Sequence, residues 1–225
     1  MELCLQSYES AVFVISAPSG VGKTTLRNIL LSRIPDLYYS ISFTTRKPRP
    51  GEVNGKDYFY VSREVFQKKI ENQSFLEWAQ VHQNFYGTPK EPIIASLQEK
   101  KDILLDIDVQ GAGILQEKLK GAIFIFLLPP SWEVLEDRLR GRKTETDLQI
   151  MARLKTAREE VHHCWGYDYL IVNHKLEEVV TTIEAIMVAE HKRPSRMRST
   201  LLKLLQEDSG SRNTAQQPGV LNPKA

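Results

Sequence analysis

The sequence has little cysteine. Its 225 residues include only Cys4 and Cys164, which lie far apart and outside any Cys-x-x-Cys or Cys/His spacing that binds zinc. Neither a disulfide framework nor a structural zinc site is therefore indicated. Because the thiols are few and widely separated, we expect a reducing compartment, the cytoplasm.

Long apolar runs and a surplus of one charge are also missing. The apolar run at residues 11–15 is far too short for a membrane span or a signal-peptide core, so no membrane association is expected. Thirty Lys and Arg oppose 28 Asp and Glu, and a net charge of +2 gives no general reason to expect nucleic acid. The basic stretch at residues 191–203 could be an arm for nucleic acid, but a solvated helix extension or tail fits the modest total charge better.

What the sequence does contain is an alternation of apolar strands and helices. Hydrophobic residues make up 41% of the chain and charged residues 26%, the balance of a globular protein with a substantial core. Strands are predicted at residues 11–16, 103–109, 122–128 and 169–172, and helices at residues 22–33, from residue 131, and at residues 176–190. This alternation favours an α/β fold in which helices flank a parallel sheet on both faces.

Three segments interrupt the alternation. Residues 42–88 are rich in Arg, Pro, Gly and Tyr and then alternate as FLEWAQVH, which predicts a small antiparallel insertion. Residues 141–150 are polar and predict a mobile flap with no buried face. Few large apolar residues follow residue 207, so a disordered tail is expected over residues 207–225.

The segment APSGVGKT at residues 17–24 is a P-loop motif between a predicted strand and helix. In such loops glycines let backbone N–H groups surround phosphate oxygens, a Lys reaches the outer phosphates and a hydroxyl binds Mg²⁺. A Gly-rich turn that merely joins strand to helix is the alternative. The residues predicted to bind a nucleoside triphosphate are Ala17, Pro18, Ser19, Gly20, Val21, Gly22, Lys23, Thr24 and Thr25.

Ala17 departs from this motif, because the pattern has Gly at its first position. Alanine is tolerated there if the backbone dihedrals are ordinary, since Ala and Gly differ mainly where φ is positive.

Two carboxylates lie near the carboxyl end of the predicted strand at residues 103–109. Asp106 and Asp108 alternate onto one strand face, at the carboxyl end where open α/β sheets bind ligands. Asp106 is the predicted partner of Mg²⁺, through water, together with Thr24. The alternative is that both carboxylates cap the turn at Gly111. DVQG at residues 108–111 also fits the DxxG of GTPases, but no NKxD tetrapeptide accompanies it.

Five arginines complete the predicted chemistry. Arg46 and Arg49 lie in a proline-rich loop, Arg138 and Arg142 are four residues apart on one predicted helix, and Arg153 follows the flap. Guanidinium groups bind phosphates bidentately, although any single surface Arg is usually only solvated. No general base is conspicuous, which suits a nucleoside monophosphate acceptor whose phosphate oxygen is already ionised.

With these motifs in place, the sequence resembles the guanylate kinase family over about residues 11–190. The resemblance is carried by SFTTRKPRPGEVNGKDYFYV at residues 42–61, then FLEWAQV, NFYGT, LLDIDVQG and GRKTET. It implies a P-loop core at residues 1–41 and 89–206, a GMP-binding insertion at residues 42–88 and a lid at about residues 138–153. It also implies phosphoryl transfer from ATP to GMP, with Mg²⁺.

The resemblance assigns roles by position. The catalytic residues it implies are Lys23, Arg46, Arg138, Arg142 and Arg153. The GMP-binding residues it implies are Ser42, Arg46, Arg49, Tyr58, Glu77, Tyr86, Thr88 and Asp108. A carboxylate can accept hydrogen bonds from both N1–H and the N2 amino group of guanine, so Glu77 is the expected guanine reader, although a Glu turned to solvent at a strand edge is the alternative.

A second class of function is a binding module, since guanylate-kinase-like domains of scaffold proteins bind phosphopeptides without catalysis. Such modules typically have a degraded P-loop, whereas Lys23 and Thr24 are present here. ATP and GMP are the expected partners, and the chain is expected to be a monomer or a small homo-oligomer.

Overall fold

The computed structural model describes residues 3–5, 9–81, 83–141 and 146–214. Within these ranges the α-helices are α1 (Lys23–Arg33), α2 (Arg63–Glu71), α3 (Glu91–Gln98), α4 (Val109–Lys118), α5 (Trp132–Arg140), α6 (Asp147–Val161), α7 (Leu176–Glu190) and α8 (Arg198–Thr214). The strands are β1 (Leu3–Cys4), β2 (Val12–Ser16), β3 (Tyr38–Tyr39), β4 (Phe43–Thr44), β5 (Phe59–Tyr60), β6 (Phe75–Val81), β7 (Asn84–Pro89), β8 (Ile103–Asp106), β9 (Leu119–Lys120), β10 (Ile123–Leu128) and β11 (Tyr169–Val172).

The central sheet is parallel and has five strands in the order β11-β10-β2-β8-β3. Its middle strand β2 is buried along its whole length, as the apolar sequence VFVIS predicts. Phe13 and Ile15 pack with α1, α5, α6 and α7 on one face of the sheet. Val12 and Val14 pack with α3 and α4 on the other face. The predicted α/β fold, a parallel sheet flanked by helices, is confirmed.

Strand β8 is shorter than the sequence predicted. It ends at Asp106 and not at residue 109, because Asp108 takes the N-cap position of α4 and accepts hydrogen bonds from the backbone N–H groups of Gln110 and Gly111. Asp106 is therefore the last residue of the strand, and Asp108 begins the helix that follows.

The insertion at residues 42–88 contains a second sheet in the order β5-β4-β7-β6. Strand β7 is antiparallel to both β4 and β6, as expected, but β4 and β5 are parallel. The antiparallel prediction was wrong for that pair. Residues 45–58 form a long connection that returns β5 in the direction of β4, which a tight hairpin cannot do.

The predicted flap at residues 141–150 is shorter than expected, because helix α6 begins within it. Thr146 and Gln149 form a capping box that begins α6, and Ile150 is 3% exposed. The expectation that this segment lacks a buried face was therefore wrong for its second half. Helix α5 ends at Arg140, and Arg142 lies outside the described residues.

The helical part of the chain extends further toward the carboxyl terminus than the sequence predicted. Helix α8 runs to Thr214, past the predicted start of a tail at residue 207, and residues 215–225 lie outside the described residues. In the basic stretch before it, Arg196 is buried and donates to the carbonyls of Ser10 and Gly121. The solvated interpretation was wrong for this residue. No described helix is long and apolar enough to cross a membrane.

Candidate functional site

A cavity of about 320 Å³ lies at the carboxyl ends of β2 and β8, next to the second sheet. It is lined by most of the residues predicted from the sequence: Ala17, Pro18, Ser19, Gly20, Gly22, Lys23, Thr24, Thr25, Ser42, Arg46, Arg49, Tyr58, Glu77, Tyr86, Asp106, Asp108 and Arg153. Val21, Thr88 and Arg138 lie close by but do not line it. The fold therefore brings segments from residue 17 to residue 153 around one cavity.

The P-loop wraps the amino terminus of α1. Gly20 and Gly22 have φ of 100° and 110°, values that L side chains rarely adopt. A Cβ at Gly20 would also come within 2.9 Å of the Leu139 side chain on α5. Glycine is thus required at both positions for the loop to curl.

Ala17 does not strain the loop. Among the described residues, positive φ outside glycine occurs only at Gln73 and Lys100, so Ala17 has ordinary dihedrals. Its side chain is 4% exposed and packs in the core on the α1 side of the sheet. The departure from the motif therefore has no backbone cost.

Lys23 is held at the end of β8. Its Nζ donates to the carbonyl of Ile107 at 3.0 Å and lies 3.1 Å from Oδ1 of Asp106. An ammonium group fixed in this way beside the P-loop is positioned for the outer phosphates of a triphosphate.

The side chains of Thr24 and Asp106, a hydroxyl and a carboxylate, both line the cavity. Magnesium prefers oxygen, keeps several waters and is often bound by one or two protein groups plus substrate phosphates. Among the described residues no cluster of three or more His, Cys, Asp or Glu forms a metal site by itself. A hydroxyl and a carboxylate beside a phosphate-binding loop fit Mg²⁺ that arrives with a nucleotide.

Glu77 is the most deeply buried acid in the cavity wall, with 4% exposure on β6. Thr88, its partner across β6 and β7, donates its hydroxyl to Oε1 of Glu77 at 2.5 Å. Burial, and then the nearby charge of Asp108, raise the pKa of Glu77 to about 7, against the opposing effect of the Thr88 hydrogen bond. The alternative that Glu77 turns to solvent is wrong.

A cluster of Arg, Glu and Tyr side chains surrounds Arg46, which also lines the cavity. Arg46 makes two hydrogen bonds to the carboxylate of Glu52, each 2.9 Å long, and its guanidinium lies over the rings of Tyr58 and Tyr60. Burial would raise the pKa of Glu52, but Arg46, the Arg49 N–H and the Tyr60 hydroxyl together lower it to about 2. Glu52 therefore stays ionised and holds the guanidinium in place.

Two of the predicted phosphate-clamping arginines occupy different places. Arg153 lines the cavity and donates to the Ser19 hydroxyl at 3.3 Å. Arg138 lies behind the P-loop, where it donates to the carbonyls of Val21 and Asn173. The buried amide of Asn173 also donates to the Val21 carbonyl, at 2.7 Å. In this structure Arg138 supports the loop.

Sequence reasoning missed several of these groups. Asn173 follows the last strand directly, which was a usable signal, but nothing in the sequence links it to Val21. Glu160 on α6 also lines the cavity, within reach of the Ser19 backbone N–H. Burial raises its pKa to about 7, and Lys23 opposes the shift. Periodicity on an amphipathic helix does not distinguish such a residue from a solvated one.

Comparisons with known proteins agree on one family. A family model described as guanylate kinase matches residues 9–190. The chain is similar to the guanylate kinase of Syntrophotalea carbinolica, with 46% identity, covering 90% of this chain and 97% of that protein. It is also similar to the guanylate kinase of Caldanaerobacter subterraneus subsp. tengcongensis, with 44% identity over 88% of this chain and 97% of that protein. A crystal structure of guanylate kinase from Anaplasma phagocytophilum aligns with a TM-score of 0.70 and 38% identity, covering 84% of this chain and 90% of that one.

Proposed function

The chain belongs to the guanylate kinase family, and on that premise we infer that it catalyses reversible phosphoryl transfer from ATP to GMP, giving ADP and GDP. The observation that carries this function is the cavity itself, which joins a P-loop to a buried carboxylate on the wall of the insertion. A triphosphate and a guanine monophosphate can then meet inside one site. Such an enzyme serves purine nucleotide metabolism by recycling GMP.

On the donor side, the P-loop backbone and Lys23 bind the triphosphate of ATP. Arg153, already at the Ser19 hydroxyl, is positioned to stabilise charge on the transferred group. Arg142 belongs to the same proposed set. Arg138, also in the proposed catalytic set, donates to the Val21 carbonyl and so holds the P-loop in place.

On the acceptor side, Glu77 accepts N1–H and the N2 amino group of guanine, with Ser42 and Thr88 beside it. Arg46 and Arg49 bind the GMP phosphate with the hydroxyls of Tyr58 and Tyr86. Asp108, which also lines the cavity, belongs to the same proposed set of GMP-binding residues. Adenine lacks this pair of donors, so the site discriminates at the base.

The reaction needs alignment and charge stabilisation more than proton transfer. An ionised oxygen of the GMP phosphate attacks the γ-phosphorus of ATP, a new P–O bond forms and the bond to the bridging oxygen of ADP breaks. The leaving ADP carries away that electron pair. Mg²⁺, held by Thr24 and through water by Asp106, would neutralise charge on the phosphate oxygens.

The experiment that tests this function is an ADP-release assay with GMP, AMP, CMP and UMP as acceptors. We expect GMP to be preferred by at least about 100-fold in kcat/KM, since a site built to bond a donor pair rejects bases that lack it. A preference for AMP would contradict the proposal.

The binding-module alternative is tested by direct measurement of ATP affinity. The P-loop has its glycine conformations, Lys23 and Thr24, which favour nucleotide binding. A module without catalysis should bind no ATP at millimolar concentration. The cytoplasmic location, the lack of a nucleic-acid partner and a monomeric or small oligomeric state stay predictions.

A further inference from the structure

Helix α1 presents two cationic side chains one turn apart on the same face, Lys23 and Arg27. Lys23 points to the carboxyl end of β8, at the triphosphate-binding loop. Arg27 bonds both Tyr39 on β3 of the central sheet and Asp57 in the insertion. One rigid helix is therefore bonded to both nucleotide-binding parts of the cavity.

Arg27 is buried, with 6% of its side chain exposed, and each of its three guanidinium nitrogens donates a hydrogen bond. Nη1 donates to the Tyr39 hydroxyl at 3.0 Å, Nη2 donates to Oδ1 of Asp57 at 3.1 Å, and Nε donates to Oδ1 of Asn28 at 3.2 Å. The guanidinium carbon also lies 4.7 Å from the centroid of the Tyr39 ring. These contacts fix the orientation of the guanidinium, and with it the position from which Nη2 donates to Asp57.

Asp57 organises the acceptor loop, which we define as residues 52–58. Its Oδ2 accepts a hydrogen bond from the Val53 N–H, and its own N–H donates to the Val53 carbonyl, so the loop closes on this residue. The next residue, Tyr58, lines the cavity and lies under the Arg46 guanidinium. A shift of Asp57 must therefore move the wall proposed to bind the acceptor phosphate.

A buried ion pair is a poor means of adding stability, because the cost of removing two charges from water offsets their attraction. It does impose a defined geometry, since each charge requires its partner in one place. Phosphoryl transfer between two bound nucleotides depends on such geometry, and a displacement of about 1 Å can reduce turnover about 100-fold.

We propose that Arg27 is a positioning residue: through Asp57 it holds the acceptor loop at a fixed place relative to the P-loop helix, and so aligns the acceptor phosphate with the donor. This rests on the proposed function, because it takes the wall at Tyr58 as the acceptor-phosphate site. Because Arg27 does not line the cavity, its effect on the acceptor is indirect.

The test compares Arg27→Met with Arg33→Met. Both arginines lie on α1 and form ion pairs, but Arg33 pairs with Glu177 and Glu184 of α7, within the core. Arg27→Met should reduce kcat/KM for GMP about 10- to 100-fold and leave the Kd for ATP within about twofold of wild type. Arg33→Met should leave both values near wild type. Equal effects of the two variants on GMP kinetics, or a parallel loss of ATP affinity in Arg27→Met, would overturn the proposal.

A double-mutant cycle with Asp57→Asn separates positioning from a loss of stability. If the pair acts as a unit, each single variant should already show most of the loss in kcat/KM for GMP. The double variant should then lose little more. Additive losses would contradict the proposal. Asp57→Asn also breaks the pair from the other side if Arg27→Met does not fold.

The Kd for GMP is also measured by calorimetry, in addition to turnover. The inference can then be tested separately from the proposed function. Failure of the wild type to phosphorylate GMP would count against the proposed function. Wild-type turnover with unchanged Arg27→Met kinetics and GMP affinity would count against the inference alone.

Discussion

At the scale of single residues, burial of Glu77 lowers the stability of the folded protein when its carboxyl is ionised, the form that the proposed guanine recognition requires. It is buried, and its pKa is raised from 4.5 to about 7, so the folded protein holds it partly protonated near neutral pH. A raised pKa in an acid means that ionisation costs stability. Stability from this group is complete below its unfolded pKa and decreases as pH rises from about 4.5 toward 7.

Replacing Glu77 with Gln should remove guanine recognition without unfolding the protein. The amide presents a donor where guanine also has donors, so we expect kcat/KM for GMP to fall by about 100-fold or more. The KM for ATP should stay within about twofold, and the free energy of unfolding at pH 8 should not fall, because the variant buries no charge. Unchanged GMP kinetics would remove Glu77 from the guanine site.

The pH dependence of GMP use should report the same group. Below pH 7 the protonated carboxyl cannot accept both guanine donors, so kcat/KM for GMP should decrease as pH is lowered. The GMP phosphate itself titrates near pH ~6, so the informative quantity is the ratio of wild type to Glu77→Gln at each pH. We expect this ratio to decrease below pH 7. A ratio that is constant from pH 5.5 to 8.5 would mean that Glu77 does not control recognition.

At the scale of elements, helix α4 approaches strand β6 closely enough that no side chain fits at one position. A Cβ on Gly111 would lie 2.7 Å from Cγ2 of Ile107 and 2.9 Å from Oε2 of Glu77. The Lys118 ammonium, at the other end of α4, donates to the Leu76 carbonyl at 3.0 Å. The helix therefore supports strand β6 at Leu76 and at Glu77.

Gly111→Ala and Gly113→Ala form a matched pair on this helix, because a Cβ on Gly113 meets nothing within 4 Å. Gly111→Ala should displace Glu77 and raise the KM for GMP about tenfold, with the KM for ATP unchanged. Gly113→Ala should leave kinetics unchanged and stabilise the protein by about 0.5–1 kcal/mol, since alanine favours helix. Steady-state kinetics and urea unfolding measure both effects. Equal KM values in the two variants would refute the close-approach argument.

At the scale of the whole molecule, Arg196 connects three distant parts of the chain. It follows α7, is 8% exposed, and bonds the carbonyls of Ser10 and Gly121. Burial lowers its pKa, and the charge of Glu190 opposes that shift. Arg196 therefore joins the segment that follows α7 to the residues that precede strands β2 and β10.

Arg196→Met should lower the free energy of unfolding by about 2–4 kcal/mol, because two buried carbonyls lose a charged donor. Lys192→Met, at an exposed position in the same basic stretch, should change it by no more than about 0.5 kcal/mol. Activity at 25 °C should be retained in both variants, since neither residue lines the cavity. Urea unfolding measures the free energy of unfolding of both variants. A change in Arg196→Met as small as that in Lys192→Met would contradict the structural role of Arg196.

The sequence by itself determined the fold class and most of the cavity wall. Apolar runs fix strands, periodicity fixes helices, and the P-loop glycines are encoded locally because positive φ demands glycine. The resemblance added Ser42, Tyr58 and Glu77, which the fold brings to the same cavity. These signals are readable because each lies within a short continuous segment.

Only the tertiary structure decided which polar side chains meet across segments. Nothing local in the sequence pairs Arg27 with Asp57, or brings Asn173 and Arg138 to the carbonyl of Val21. Glu160 likewise needs the packing of α6 to enter the cavity. Periodicity shows on which side of a helix a residue lies, but the choice between solvent and a partner depends on how the elements pack in three dimensions.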